Sequence, residues 1–281
     1  MFKALADVLT RTGRSRHNSF VIYNGPSRID GAPIIVIATG FRDDSSNSKT
    51  GAMIQTHIMR ADMHPTEALA TGKDGSICGG CIHRPKVTNV IRPNGKMGYS
   101  GRSCYVDVRQ GPGGVWKAWS RGNVPAISLE VLSGLCRGRY VRLGSYGDPA
   151  SVPLEVWRAY TMHAEGWTGY THQARSPKLR DVLQFCQVSA DSPEDARAAM
   201  RAGVGSFRVL SKGEAMLPGE IVCPASEEAG KVATCADCRA CSGFSGANVA
   251  IIAHGIGANN YAGTKRRALS LPVINPARAT A

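Results

Sequence analysis

Residues Tyr140 to His172 read YVRLGSYGDPASVPLEVWRAYTMHAEGWTGYTH. Tyr140 to Leu143 is a short β-branched and aromatic run, which predicts a strand. Gly144-Ser-Tyr-Gly-Asp-Pro149 is a tight loop. Pro153 to Ala164 follows as a helix, and Trp167 to Thr171 as a second strand ending at His172. Strand, helix and strand in that order make a parallel pair joined by a right-handed crossover.

The same rhythm runs on from about residue 125 to residue 253. Leu129 to Leu135 is helical, and Lys178 to Phe185 begins with a helical turn. Gln184 to Ser189 is a strand that ends at Asp191. Ser192 is placed to cap a helix over Asp195 to Ala202, with Pro193 in its first turn and Gly203 ending it. Ser206 to Leu210, Ile221 to Cys223 and Val249 to Ala253 are further strands. The fold expected is α/β, with a partial or irregular parallel barrel. N-terminal strands and a cysteine-rich C-terminal segment decorate it. In such sheets functional residues gather beyond the C-terminal strand ends. Asp148, His172, Asp191 and Cys223 all fall there, which points to one site.

Upstream, Ser19 to Tyr23, Ile34 to Thr39 and Met53 to Met59 are strand candidates. The polar loop DDSSNSKTG, Asp43 to Gly51, could touch phosphate through Lys49 and Thr50 but lacks the full P-loop pattern. The expected organisation is a basic segment over 1–18 and a single metal-binding domain over 19–270. Within that domain lie N-terminal strands (19–60), a first cysteine group (61–122), αβ units (123–222) and a second cysteine group (223–253). A loose tail over 271–281 follows.

Seven of the nine cysteines form two groups. Cys78-Gly-Gly-Cys81 is followed after 22 residues by Cys104. Cys223 is followed by Cys235-Ala-Asp-Cys238-Arg-Ala-Cys241. No secretory leader is expected at the N-terminus, so the thiols are expected to be reduced, and clustered reduced thiols read first as metal ligands. The triple run with two-residue gaps lets one loop wrap an iron–sulfur cluster that a remote cysteine closes. Four thiolates also suit tetrahedral zinc. In the first group His83 could supply a fourth ligand, or that position is open. Cys136 and Cys186 are isolated, and burial as small side chains is the expectation.

Lys plus Arg number 34 against 21 Asp plus Glu, a net +13. Such an excess favours polyanionic partners: DNA, RNA or a nucleotide. No run approaches the ~20 apolar residues of a membrane span, so no membrane and a cytoplasmic setting are expected. His172 has a side chain that titrates near neutrality and could act as acid or base. Asp191 could bind ligand or favour the helix N-terminus beside it.

Cys104-Tyr105, then a helix, then a strand ending in Gly-Asp-Pro, resembles the front half of a radical SAM barrel. That superfamily holds a [4Fe–4S] cluster with one open iron on three cysteines. The resemblance implies that Cys78, Cys81 and Cys104 hold such a cluster. Ser145, Tyr146, Gly147 and Asp148 would then contact S-adenosylmethionine, with Tyr170, His172 and Asp191 lining the pocket. The usual C-x3-C-x2-C loop is here C-x2-C followed by the 22-residue insertion, and Asp148 stands where glutamate is usual. Additional C-terminal cysteine runs that carry auxiliary clusters are frequent in the superfamily.

The chain also resembles a group of phage and prophage proteins, the mycobacteriophage gene-product-88-like group. The shared marks are Lys49-Thr50-Gly51, Cys78-Gly-Gly-Cys81, Cys104-Tyr105-Val106, Arg142-Leu-Gly-Ser-Tyr-Gly-Asp148, Gly169-Tyr-Thr-His172 and Cys223 through Cys241, spread over residues 20–250. This resemblance implies a phage origin, hence the cytoplasm of a host cell, and brings no established activity with it. Two function classes stay open. One is a cluster-dependent enzyme. The other is a metal-stapled phage protein that binds nucleic acid or a host protein.

Overall fold

The computed structural model describes residues 9, 15–44, 48–91, 97–243, 246–255 and 257–261. Most of the expected basic segment 1–18, the tail 271–281 and the centre of the Asp43–Gly51 loop lie outside the described residues.

Three strands open the fold: β1 (Ser19–Pro26), β2 (Pro33–Thr39) and β3 (Ile54–Arg60). Ile34 to Ala38 is buried at every position, as in a strand covered on both faces. β1 and β3 both run antiparallel to β2. After β3 come α1 (Pro65–Thr71) and the short α2 (Gly75–Cys78), then a hairpin of β4 (Lys86–Ile91) and β5 (Met97–Ser100). Two helices follow, α3 (Gly111–Ser120) and α4 (Leu129–Leu135), before β6 (Tyr140–Tyr146). Ser128 caps α4 by accepting a hydrogen bond from the Val131 N–H.

From β6 the strand–helix alternation takes over. The order is β6, α5 (Leu154–Thr161), β7 (Gly166–Thr171), β8 (Gln187–Ala190), α6 (Pro193–Arg201) and β9 (Ser206–Leu210). A turn of 3-10 helix at Arg180–Gln184 stands between β7 and β8. Ser192 caps α6 at the Asp195 N–H, with Pro193 in the first turn, as its sequence predicts. Then come β10 (Glu220–Val222), α7 (Cys235–Cys238), β11 (Asn248–Ile252) and a turn of 3-10 helix at Ala258–Asn260.

Nine strands form one sheet in the order β1-β2-β3-β6-β7-β8-β9-β11-β10. Every pair from β3 to β10 is parallel. The fold is therefore α/β with a large, mostly parallel sheet, as expected. β11 inserts between β9 and β10, so the edge strand is not the last in sequence.

The main core lies around β1–β3 and β6, where Phe20, Ile58, Val141 and Leu143 meet Trp157 and Tyr160 of α5. Cys136 and Cys186 are buried in this core, as expected. A second, smaller core gathers Cys223, Ala225, Val249 and Ile251, with Cys235 and Cys241 packed against it. It is tied together by Arg208 of β9, which is fully buried and bonds both oxygens of Glu220 at 2.6 Å and Glu214 at 2.6 Å.

Candidate functional site

His172, Asp191 and Cys223 each follow directly after a strand, β7, β8 and β10, and Asp148 lies two residues past β6. A parallel sheet brings such positions to one edge. Three of them, His172, Asp191 and Cys223, line one cavity of about 230 Å³. Cys81 and Cys104 of the first group open onto the same cavity, and so do Cys235, Cys238 and Cys241 of the second. Cys78 sits behind the wall, electrostatically coupled to Cys81 and Cys104. All nine cysteines are free thiols.

The first group is held by polar clamps. Gln173, just past β7, accepts from the Gly80 N–H at 3.2 Å and donates to the Cys78 carbonyl at 3.0 Å. Arg84 donates to the carbonyls of Gly79 and Gly72 and pairs with the buried carboxylate of Asp74 at 2.8 Å. The β4–β5 hairpin brings the chain back, so that the Cys104 N–H donates to the His83 carbonyl at 3.2 Å. Within the 22-residue insertion, the described strands β4 and β5 pair antiparallel and return the chain towards the first group.

The second group docks on the loop before β3. The N–H groups of Cys235 and Ala236 donate to the carbonyls of Lys49 and Thr50 at 2.8 and 3.2 Å. Thr234 caps α7 at the Asp237 N–H. Gly51 has φ +66°, and a Cβ there would lie 2.8 Å from the Thr234 hydroxyl, so only glycine fits against the cap. The Cys223 N–H donates to Ala250 of β11 at 2.9 Å.

The strands between the two groups supply the floor. Arg142 of β6, Thr168 and Tyr170 of β7, Ser189 of β8 and Phe207 of β9 face the cavity. Arg142 reaches the Tyr105 hydroxyl at 3.1 Å and lies 5.7 Å from the Tyr170 ring centre. Its Nε, like the Thr168 hydroxyl, is buried without a hydrogen-bond partner. Tyr170 packs on Phe207 with ring centres 4.7 Å apart.

A polar triad forms the wall beside Cys81. Asp191 Oδ1 lies 3.2 Å from Nε2 of His83 and 3.2 Å from Nε2 of His172. The other ring nitrogen of His83 meets the Ser103 hydroxyl at 2.8 Å. Both nitrogens of His83 therefore have partners other than the cysteine sulfurs. His172 Nε2 is also 3.8 Å from the Cys81 sulfur.

Burial pushes the thiols of Cys78 and Cys104 up, Cys78 well above its usual range. Burial likewise raises Cys223 and Cys235, and raises Cys241 to about 12. Cations oppose this in both groups: Arg84 and Arg102 by the first, Lys49 and Arg142 by the second. Burial disfavours the charged form of His172, but Cys81 and Asp191 outweigh it and lift its pKa well above the ordinary value. Burial would raise the Asp191 carboxyl. The neighbouring imidazoles outweigh that and hold it far below the usual range.

The turn Ser145 to Asp148 does not reach the lining of this cavity. The Ser145 hydroxyl donates to Gln55 at 2.9 Å. Tyr146 is buried in the main core. Gly147, at φ +83°, leaves its missing Cβ 2.6 Å from Ile58. Asp148 accepts from the Ala150 and His172 N–H groups, the Thr171 hydroxyl and the Gln173 amide. It orients the strand end that carries His172. Tyr170, His172 and Asp191 do face the cavity.

Arg142, Tyr105, Ser103 and Tyr261 also line the cavity, and sequence reasoning did not single them out as site residues. Arg142 carried a signal. It interrupts a strand between Val141 and Leu143, both fully buried, so alternation puts it on the opposite face. No protein-family model matches the chain, and no curated protein or solved structure matches it.

Proposed function

We propose that this chain is a cluster-dependent enzyme. In this proposal Cys78, Cys81 and Cys104 hold a [4Fe–4S] cluster with one iron facing the cavity. Cys223, Cys235, Cys238 and Cys241 hold a second cluster with four thiolate ligands. The observation that carries the proposal is that both cysteine groups open onto one cavity. A pair of structural staples has no need to share a void.

Four thiolates would also suit tetrahedral zinc. The spacing of the second group favours a cluster: Cys235, Cys238 and Cys241, with two-residue gaps, let one loop wrap it while Cys223 closes the site. The cations beside each group compensate the negative charge such a centre brings.

Side chains from β6, β7, β8, β9 and β11 face the same void, which supports a sheet curved into the partial, radical-SAM-like barrel. When bound, the open iron supplies an electron and a coordination position. The chain's own residues do the rest. Tyr170 and Phe207 offer an aromatic floor, Arg142 a buried positive charge, and His172 and Asp191 a polar wall. The cavity admits a single small group such as a nucleotide base, not the width of a duplex. With the net charge of +13, the substrate class is a nucleotide or a base presented by a nucleic acid. S-adenosylmethionine is the co-substrate to test first, as the radical SAM resemblance implies.

The test is consumption of S-adenosylmethionine by anaerobic, reduced protein, followed by chromatography. Wild type is expected to consume it and Cys104→Ser to lose this. Cluster-loaded protein that leaves it intact, yet binds DNA in a salt-sensitive way, would replace the enzyme with the metal-stapled nucleic-acid-binding protein.

A further inference from the structure

We infer that His83, His172 and Asp191 hold a mononuclear divalent metal ion, at a site separate from the two cysteine groups. The three side chains come from three places: the turn after Cys81, the end of β7 and the end of β8. Their donor atoms converge, with both imidazole Nε2 atoms 3.2 Å from the same carboxylate oxygen and all three atoms within 4.8 Å of one another. Bonds of about 2.0–2.1 Å to one four-coordinate ion set its ligands roughly 3.4 Å apart. The two distances to the Asp191 oxygen already match this spacing, and the two imidazoles lie within reach of a common ion.

The surroundings are those of a metal ligand. A ligating histidine usually fixes its ring by bonding the other nitrogen to an oxygen. His83 does this through Ser103 at 2.8 Å. Its ring is further held by Tyr261, stacked at 5.6 Å between ring centres and 13° between planes. All three ligands line the cavity, so the remaining coordination positions face it. Three protein ligands and an open position describe a catalytic rather than a structural centre. Two imidazoles and one carboxylate suit zinc, iron(II) or manganese(II). The Cys81 sulfur, 3.8 Å from His172 Nε2, puts this ion next to the first cysteine group. The inference does not depend on what the cysteines hold.

The test uses protein purified anaerobically with whatever its cysteines carry, dialysed against a chelator and then against zinc. Iron, sulfide and zinc are measured on the same sample, so failure of the cluster proposal appears in the iron and leaves this test intact. Wild type is expected to bind one further zinc per chain. Asp191→Ala and His83→Ala should weaken that binding at least 100-fold, and Ser103→Ala by about 10-fold. The difference in X-ray absorption between wild type with and without the further zinc should show a nitrogen and oxygen shell at about 2.0–2.1 Å that includes imidazole. It decides the matter even if the alanine variants misfold. A sulfur shell contributed by the further zinc itself, no further zinc, or unchanged affinity in Asp191→Ala would overturn the inference. The triad would then be a hydrogen-bonded wall in which both histidines donate to Asp191.

Discussion

The Nε2 atom of His172 stands 3.8 Å from the sulfur of Cys81. Strand β7 thus delivers the residue just past its end to the loop that carries the first cysteine group. The contact is set from behind by Asp148, whose carboxylate takes the His172 N–H at 2.8 Å and the Gln173 amide at 3.2 Å. Gln173 in turn holds the Cys78 carbonyl.

Asp148→Ala is therefore expected to act twice. It leaves several buried donors without an acceptor, at about 1–3 kcal/mol each, so denaturant unfolding should show a loss of roughly 3 kcal/mol or more. It should also loosen the Cys78–Cys81 loop, read as faster amide exchange at Gly79 and Gly80. Unchanged exchange there would mean that the clamp does not position the loop.

The cysteines should separate into two classes. Cys241→Ser is expected to remove the second centre, lowering iron from about eight to about four per chain if both centres are [4Fe–4S] clusters. Cys136→Ser and Cys186→Ser lie in the core at 0% exposure. They should leave iron content unchanged and only lower stability. Iron lost equally in all three variants would show a general folding defect instead.

The Arg208–Glu220 pair is buried on both sides. Removing Glu220 leaves Arg208 with Glu214 as its one remaining carboxylate partner, so the loss should stay below the ~3–5 kcal/mol of a fully orphaned buried charge. Glu220→Ala should unfold at correspondingly lower denaturant, whereas Arg208→Met combined with Glu220→Leu should recover much of the loss. Equal losses in the single and double variants would show that the pair adds no coupling.

His57 of β3 gives a pH dependence. Burial lowers its pKa from 6.5 to about 4, and its Nδ1 is buried without a partner. Below pH 6.5 the unfolded chain binds a proton that the folded chain refuses, so stability falls as pH drops from about 6.5 to about 4 and then levels. The full effect is ~3 kcal/mol at 1.36 kcal/mol per unit. His57→Gln should flatten that part of the stability profile. An unchanged slope would assign it to other groups.

Much of the scaffold was legible because local rules fix it. The helices after Ser128 and Ser192 begin at serine caps. The polar residues after β7, β8 and β10 sit where a parallel sheet collects them. The hairpin of β4 and β5 was not legible. Pro85, Pro93 and the glycines around it read as a basic insertion between Cys81 and Cys104, and strand pairing depends on partners that local composition does not name. The placement of β11 between β9 and β10 is likewise a long-range choice. The His83–Asp191 contact joins residues 108 positions apart, and nothing near either residue announces it.

The central claim is that two iron–sulfur clusters face one cavity. Anaerobic purification followed by iron, sulfide and zinc analysis tests it most directly. The expected result is a brown protein with about eight iron and eight sulfide per chain. A colourless protein with stoichiometric zinc at the cysteines and no iron would contradict it.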